Sequence, residues 1–387
     1  MISSACDQLI EFVRDHYSTN EFIPLHAPVF RGNEKAYVTE AIDSTFVSSV
    51  GGFVDRLESE VATYTSSPRA VATVNGTAAL HVALRLVGVA PDSYVITQPL
   101  TFVATCNAIA YCGATPIFLD VDRETLGLSP QAVERWLEEH AIRDAEGVCR
   151  ERVSGKVIRA CLPMHTFGHP ADIDGLVRVC RQWGLALVED AAESLGSFYK
   201  GRHTGTIGDI GTLSFNGNKI MTTGGGGMIL SGQVLAERAK HLTTTAKQPH
   251  AYEYVHDEIG YNYRMPNLNA ALGCAQLELL EDFIREKRRL AEAYSNCFRH
   301  SSLDFISEPK DCRSNYWLNA VLCSDRSERD ALLKLTNDRG VMTRPVWQLM
   351  NRLPMYRNAP AGDLSNAQWL EERLVNLPSG VKAGGPD

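Results

Sequence analysis

No stretch of the 387 residues approaches the roughly 18 consecutive apolar residues that a membrane-spanning helix requires. A bilayer-spanning chain is therefore not expected. A basic excess is also missing: 38 lysines and arginines face 46 aspartates and glutamates, a formal net charge of −8. That balance argues against a broad phosphate-neutralising nucleic-acid surface and leaves basic residues to act locally. The ten cysteines include no C-x-x-C pair and lie scattered in apolar segments, the pattern of buried reduced thiols rather than of a disulfide framework. The opening residues, MISSACDQLIEFVRDHY, place acidic side chains where a secretory leader needs a basic region and an apolar run. Ile10, Val13 and Tyr17 recur there at helical spacing, so an N-terminal helix within residues 1–20 and a bacterial-type cytoplasmic setting are expected. There is no internal repeat, no G-x-x-x-x-G-K-[ST] order and no G-x-G-x-x-G after the first strand. Nucleotide hydrolysis and Rossmann-type redox chemistry are thereby disfavoured.

What is present is an ordinary globular composition, 44% hydrophobic and 22% charged, in a chain long enough for two or three domains of about 150 residues. From about residue 70 to 230, short apolar runs alternate with helical patterns, which predicts an α/β fold with parallel strands and crossover helices. The predicted strands are 70–74, 94–97, 115–119, 158–163, 185–189 and 211–214, with a helix over 77–87 directly after Asn75-Gly76. A long helix over 267–283, continuing through 285–299, leaves that layer. Beyond it, segments 315–322, 328–339 and 369–374 predict a smaller α+β unit. The division expected is 1–20 helix, 21–255 large domain and 256–387 small domain. Segment 246–261, rich in Pro, His and Tyr, is a candidate functional loop. The leucines and alanines of 268–280, at helical period, are expected to be core.

Three pieces fall at strand ends, where open α/β sheets bind ligands. Asn75-Gly76-Thr77-Ala78 opens a helix, and its free N–H groups and hydroxyl suit a phosphate. Alone it reads first as an ordinary helix start. Val188-Glu189-Asp190-Ala191-Ala192-Glu193 ends a strand in three carboxylates, costly to bury unpaired. They fit a solvated strand end, metal ligands or a carboxylate held to a ring nitrogen, although no histidine follows until His203. Ser214-Phe215-Asn216-Gly217-Asn218-Lys219 precedes Thr222-Thr223 and four glycines, turns that let backbone close around a ligand. A lysine amine in such a pocket forms a Schiff base with an aldehyde cofactor, and an aspartate on the pyridinium nitrogen makes that ring an electron sink. One strand-loop-strand excursion returns Asp190 and Lys219 to one sheet edge. Pyridoxal 5'-phosphate fits all three pieces, and no metal site is expected.

These residues, together with QPLTFVATCNAIAYCGATPIFLDVD, MHTFGHPADIDGL and GYNYRMPNLNAALGCAQLE in fixed order, resemble the DegT-type (DegT/StrS) nucleotide-sugar aminotransferases. The resemblance spans most of the chain. It implies the fold type I architecture of aspartate aminotransferase: a large, mostly parallel seven-stranded sheet domain and a smaller C-terminal α+β domain. It further implies that Lys219 holds the cofactor aldehyde and then moves the proton between cofactor and substrate carbons. Asp190 would bind the pyridine nitrogen, Phe102 would stack on the ring, and Thr77, Ala78 and Ser214 would hold the phosphate. Asn262 would reach that phosphate from the neighbouring subunit of a homodimer. Glu193 stands where many relatives carry His or Gln facing the phenolic oxygen, and two anions there repel unless they share a proton. Related sugar dehydratases carry His at the lysine position, so Lys219 favours transamination.

The segments FVSSVGGFVDRLE, TRPVWQLMNRLPMY and WLEERLVNLPS look like the branch serving legionaminic acid and bacillosamine. The implied reaction passes the amino group of L-glutamate, which leaves as 2-oxoglutarate, through the pyridoxamine form to the C4 ketone of a nucleotide-linked 4-keto-6-deoxy sugar. The acceptor expected is UDP-2-acetamido-2,6-dideoxy-hexos-4-ulose; the alternatives are a GDP-4-keto-6-deoxymannose aminotransferase, a sugar dehydratase and a non-catalytic binding protein on the same fold. The substrate diphosphate calls for local cations, and Lys247, His250 and Arg344 are the expected ones.

Overall fold

The computed structural model describes residues 2–382. Its centre is a seven-stranded sheet in the order Arg69–Thr73, Gly227–Ser231, Ile210–Ser214, Ala186–Asp190, Ile158–Leu162, Tyr94–Thr97, Thr115–Phe118. Every strand runs in one direction except Gly227–Ser231, which is antiparallel to both of its neighbours. That strand was not expected, because its glycine-rich start reads as a turn. Packing explains it: a Cβ on Gly227 would lie 2.6 Å from the backbone carbonyl carbon of Asn75, so only glycine lets the strand begin beneath the Asn75-Gly76 turn.

Alternate residues of the parallel strands enter different cores, as a sheet covered on both faces requires. Val95, Ala160 and Val188 pack with the helix Gly76–Leu86 on one side, while Ile96, Cys161 and Leu187 pack with Trp136 and Leu176 on the other. All ten cysteines are free. The expected long helix divides at Leu279 into Asn267–Glu278 and Leu280–Phe298. Ala270, Ala271 and Cys274 of its first half are buried in the core.

Beyond it stands a four-stranded antiparallel sheet, Asp304–Phe305, Asn319–Leu322, Leu374–Leu377 and Arg344–Pro345 in spatial order. The helix Arg326–Asp338 accompanies this sheet, and the N-terminal helix Ile2–Tyr17 packs on it through Leu9 and Val13 against Leu290, Tyr294 and Val321. Segment 369–374 holds the end of the helix Ser365–Glu371 and the turn into the strand Leu374–Leu377. One hydrophobic cluster runs from Leu213 and Phe215 beside the large sheet to Leu318, Ala320 and Val346 beside the small one. The two sheets therefore meet across an apolar seam close to Ser214 and Lys219. Among the described residues, no helix is long and apolar enough to cross a membrane.

Candidate active site

The parallel strands deliver their carboxyl ends to one edge, and strand alternation separates the first two acids found there. Glu189 points into the turn that follows: it accepts N–H bonds from Gly205 at 2.8 Å, Ile207 at 2.7 Å and Gly208 at 2.6 Å, and meets His165 Nε2 at 3.0 Å. Because His165 Nδ1 accepts the Ala171 N–H at 3.1 Å, its Nε2 carries the proton and donates to Glu189. Burial opposes the charge on Glu189, yet these donors hold its carboxyl below the usual range. Glu189 is thus an anchor for the turn.

Asp190, the last residue of its strand, turns toward the helix Val103–Tyr111. Its Oδ2 accepts the Thr105 hydroxyl at 2.8 Å and its Oδ1 the Ala192 N–H at 3.1 Å. Burial raises the carboxyl, while the Thr105 and Ala192 donors and the Lys219 charge oppose the rise. Phe102 is the residue before the same helix, three positions before Thr105. Its ring is 48% exposed and packs at 6.3 Å from Trp347, leaving a free aromatic face.

Lys219 Nζ lies 3.4 Å from Glu193 Oε1 and 4.0 Å from the centre of the Trp317 ring. The lysine side chain is 11% exposed. Glu193 Oε2 accepts the Phe167 N–H at 2.9 Å. Phe167 is fully buried at φ 58°, ψ 12°, a left-handed conformation that is costly for a bulky side chain and persists where surrounding structure enforces it. Burial pushes the Glu193 carboxyl up to about 7, with Lys219 and the Phe167 N–H opposing.

The Asn75-Gly76 turn stands where the first strand meets the antiparallel one. Asn75 caps the helix by accepting the Ala78 N–H at 2.7 Å, and a Cβ on Gly76 would come within 2.8 Å of Ser214 Cβ. Thr77, Ala78 and Ser214 thus share one corner of the sheet edge. A helix N-terminus facing a hydroxyl, a half-buried amine and a buried carboxylate with hydrogen-bonding donors form the donor set that pyridoxal 5'-phosphate requires. The residues fit the cofactor.

The other expected residues lie outside this cluster of contacts. Asn262 is exposed, its Oδ1 held by Arg264 Nη2 at 3.0 Å. Lys247 sits over the Tyr254 ring at 4.2 Å, and His250 Nδ1 accepts the Glu253 N–H at 2.8 Å within the same exposed loop. Arg344 donates to Asn337 Oδ1 at 3.1 Å on the small sheet. Sequence reasoning missed Thr105, Phe167, Asn315 and Trp317. None of the four lies in a segment whose spacing links it to Lys219 or Asp190.

Residues 28–385 match the DegT/DnrJ/EryC1/StrS aminotransferase family. The chain belongs to this family. It is a pyridoxal phosphate-dependent nucleotide-sugar aminotransferase with a fold type I architecture. The chain is 38% identical over 365 residues, 93% of each chain, to the GDP-perosamine synthase of Escherichia coli O157:H7. It is also 36% identical over 366 residues, covering 92% of this chain and 91% of the relative, to EpsN of Bacillus subtilis, a pyridoxal phosphate-dependent aminotransferase by name. Among solved structures, the aminotransferase TlmJ of Streptoalloteichus hindustanus aligns with a TM-score of 0.84 at 28% identity over 95% of both chains.

Proposed function

We propose that this DegT-family enzyme works as a homodimer that transfers the amino group of L-glutamate to the C4 ketone of a nucleotide-linked 4-keto-6-deoxy sugar. The observation that carries this reading is the Lys219–Glu193 pair at 3.4 Å, an amine beside a carboxyl poised near neutrality. When bound, pyridoxal 5'-phosphate supplies an aldehyde to receive the amino group and a ring to take up the electron pair of the breaking C–H bond. Lys219 would hold that aldehyde, and its amine would move the proton between the two carbons. Glu193 would hold a proton for the oxygen on the cofactor ring. Asp190, oriented by Thr105, would neutralise a protonated ring nitrogen, and Phe102 would stack on the ring. Thr77, Ala78 and Ser214 bind the phosphate, joined by Asn262 of the neighbouring subunit. Lys247, His250 and Arg344 take the substrate diphosphate.

The resemblance of FVSSVGGFVDRLE and the C-terminal segments favours UDP-2-acetamido-2,6-dideoxy-hexos-4-ulose, an acceptor of the legionaminic acid and bacillosamine type. A second reading, amination of GDP-4-keto-6-deoxymannose, is supported by the GDP-perosamine synthases of E. coli O157:H7 and, at 34% identity, Vibrio cholerae. The test is the visible absorption of the purified enzyme before and after L-glutamate, followed by a panel of UDP- and GDP-linked 4-keto-6-deoxy sugars. A band that bleaches with glutamate and returns with the UDP-linked sugar is the expected result. Return with the GDP-linked sugar alone selects the second reading, and no response to any member of the panel overturns both.

A further inference from the structure

The reactive amine rests on a residue that the sequence did not single out. Trp317 lies just before the strand Asn319–Leu322 and is 4% exposed, and its ring faces Lys219 Nζ. Each of its polar groups is engaged. Its N–H donates to Asn315 Oδ1 at 2.8 Å, its carbonyl accepts from Lys287 Nζ at 3.1 Å, and its indole Nε1–H donates at 2.7 Å to the carbonyl of Asn218, the residue before the lysine. Asn315 in turn donates through Nδ2 to the carbonyls of Glu193 and Leu195, each at 2.9 Å. The Leu318 N–H donates to the Phe167 carbonyl at 3.3 Å, and Phe167 holds Glu193. A closed circuit of contacts thus runs from Lys219 through Trp317 and back to Glu193. Gly168 makes room for it: at φ 95°, a Cβ there would overlap Asn315 Oδ1 at 1.9 Å.

Lys287 anchors the circuit from behind. Its amine is buried, donates to the carbonyls of Trp317 and Ser379, and is pulled down to about 7 by burial. A buried lysine spent on backbone carbonyls is costly. Losing it would leave the Trp317 carbonyl unpaired beneath the reactive centre.

Resting on the aminotransferase reading above, we propose that Trp317 is a positioning residue for Lys219. Its indole face seats the amine, its indole Nε1–H fixes the peptide that precedes the lysine, and Lys287 sets the depth of the ring. The freed lysine amine then has one place to go between proton transfers. A four-carbon side chain otherwise has many rotamers, and misplacing a reacting group by about 1 Å costs on the order of 10²-fold in rate.

The experiment reconstitutes apoenzyme with pyridoxal 5'-phosphate and records visible absorbance and visible circular dichroism, followed by single turnover with L-glutamate. Trp317→Leu is expected to take up cofactor with a weakened dichroic band and a single-turnover rate down roughly 10- to 100-fold. Its glutamate KM is expected to change much less. Trp317→Phe, which keeps an aromatic face, is expected to recover most of both signals. Lys287→Met, which touches neither cofactor nor substrate, is expected to weaken the same dichroic band. Wild-type signals in Trp317→Leu, or equal loss in the Phe and Leu variants, would overturn the proposal. If Trp317→Leu does not fold, an unaltered band in Lys287→Met overturns it equally. A wild-type chain that takes up no cofactor overturns the aminotransferase reading, and the inference with it.

Discussion

Glu189 and Glu193 stand four positions apart, both fully buried at the same sheet edge, yet their surroundings give them opposite character. Glu189 collects three backbone N–H groups and the His165 ring, and its carboxyl is held below the usual range. Glu193 has one backbone N–H and a lysine at 3.4 Å, and burial pushes it up to about 7. Donor count decides between them, because each donor lost leaves desolvation less opposed. A carboxylate supplied with donors fixes a turn; one left short of them holds a proton available at neutral pH.

The largest way to test the contrast is to remove the amine on which the reactive side depends. Lys219→Ala is expected to lower the glutamate half-reaction by about 10²- to 10⁴-fold and to abolish the lysine-bound absorption band. Stopped-flow spectra check both. The fold should survive. Glu189→Gln should do the reverse, costing about 3 kcal/mol or more in urea unfolding because a charge matched to four donors is lost. A Glu189→Gln protein as stable as wild type would remove the distinction. Thr105→Val tests Asp190, which has fewer donors than Glu189. Losing a hydrogen bond to a charged group costs about 1.5–3 kcal/mol, so cofactor affinity, measured by titrating apoenzyme, should fall about tenfold or more. The smallest effects are expected at the exposed loop and the small sheet, where Lys247→Ala and Arg344→Ala should raise the KM of the nucleotide sugar and leave glutamate kinetics unchanged.

Much of this was legible in the sequence, for physical reasons. Apolar runs wrote out six of the seven strands, and Asn75, Asp190 and Lys219 announced themselves by falling just past them. The seventh strand, Gly227–Ser231, was hidden because the glycine that permits close approach to Asn75 looks like a turn residue. Glu193 was legible as a carboxylate, but its proton was not, since that depends on how many donors the fold brings to it. Trp317 and Asn315 come from a distant segment, and no local spacing links them to Lys219. Phe167 gave no signal either, because its left-handed backbone is imposed by tertiary contacts.

The central claim is most directly tested by infrared difference spectra of apoenzyme across pH, wild type against Glu193→Gln and Glu189→Gln. A carboxyl raised above its ordinary value binds its proton more tightly in the folded state. Glu193 therefore favours folding below about pH 4.5, the ordinary glutamate value, and loses that contribution as pH rises through about 7. The account predicts a protonated-carboxyl stretch that titrates with a midpoint near 7, disappears in Glu193→Gln and persists in Glu189→Gln. In parallel, Glu193→Gln should be the more stable protein at pH 8, with the gap closing as the pH is lowered. A wild-type spectrum without a protonated carboxyl at pH 6, or a stretch that disappears in Glu189→Gln instead, would contradict it.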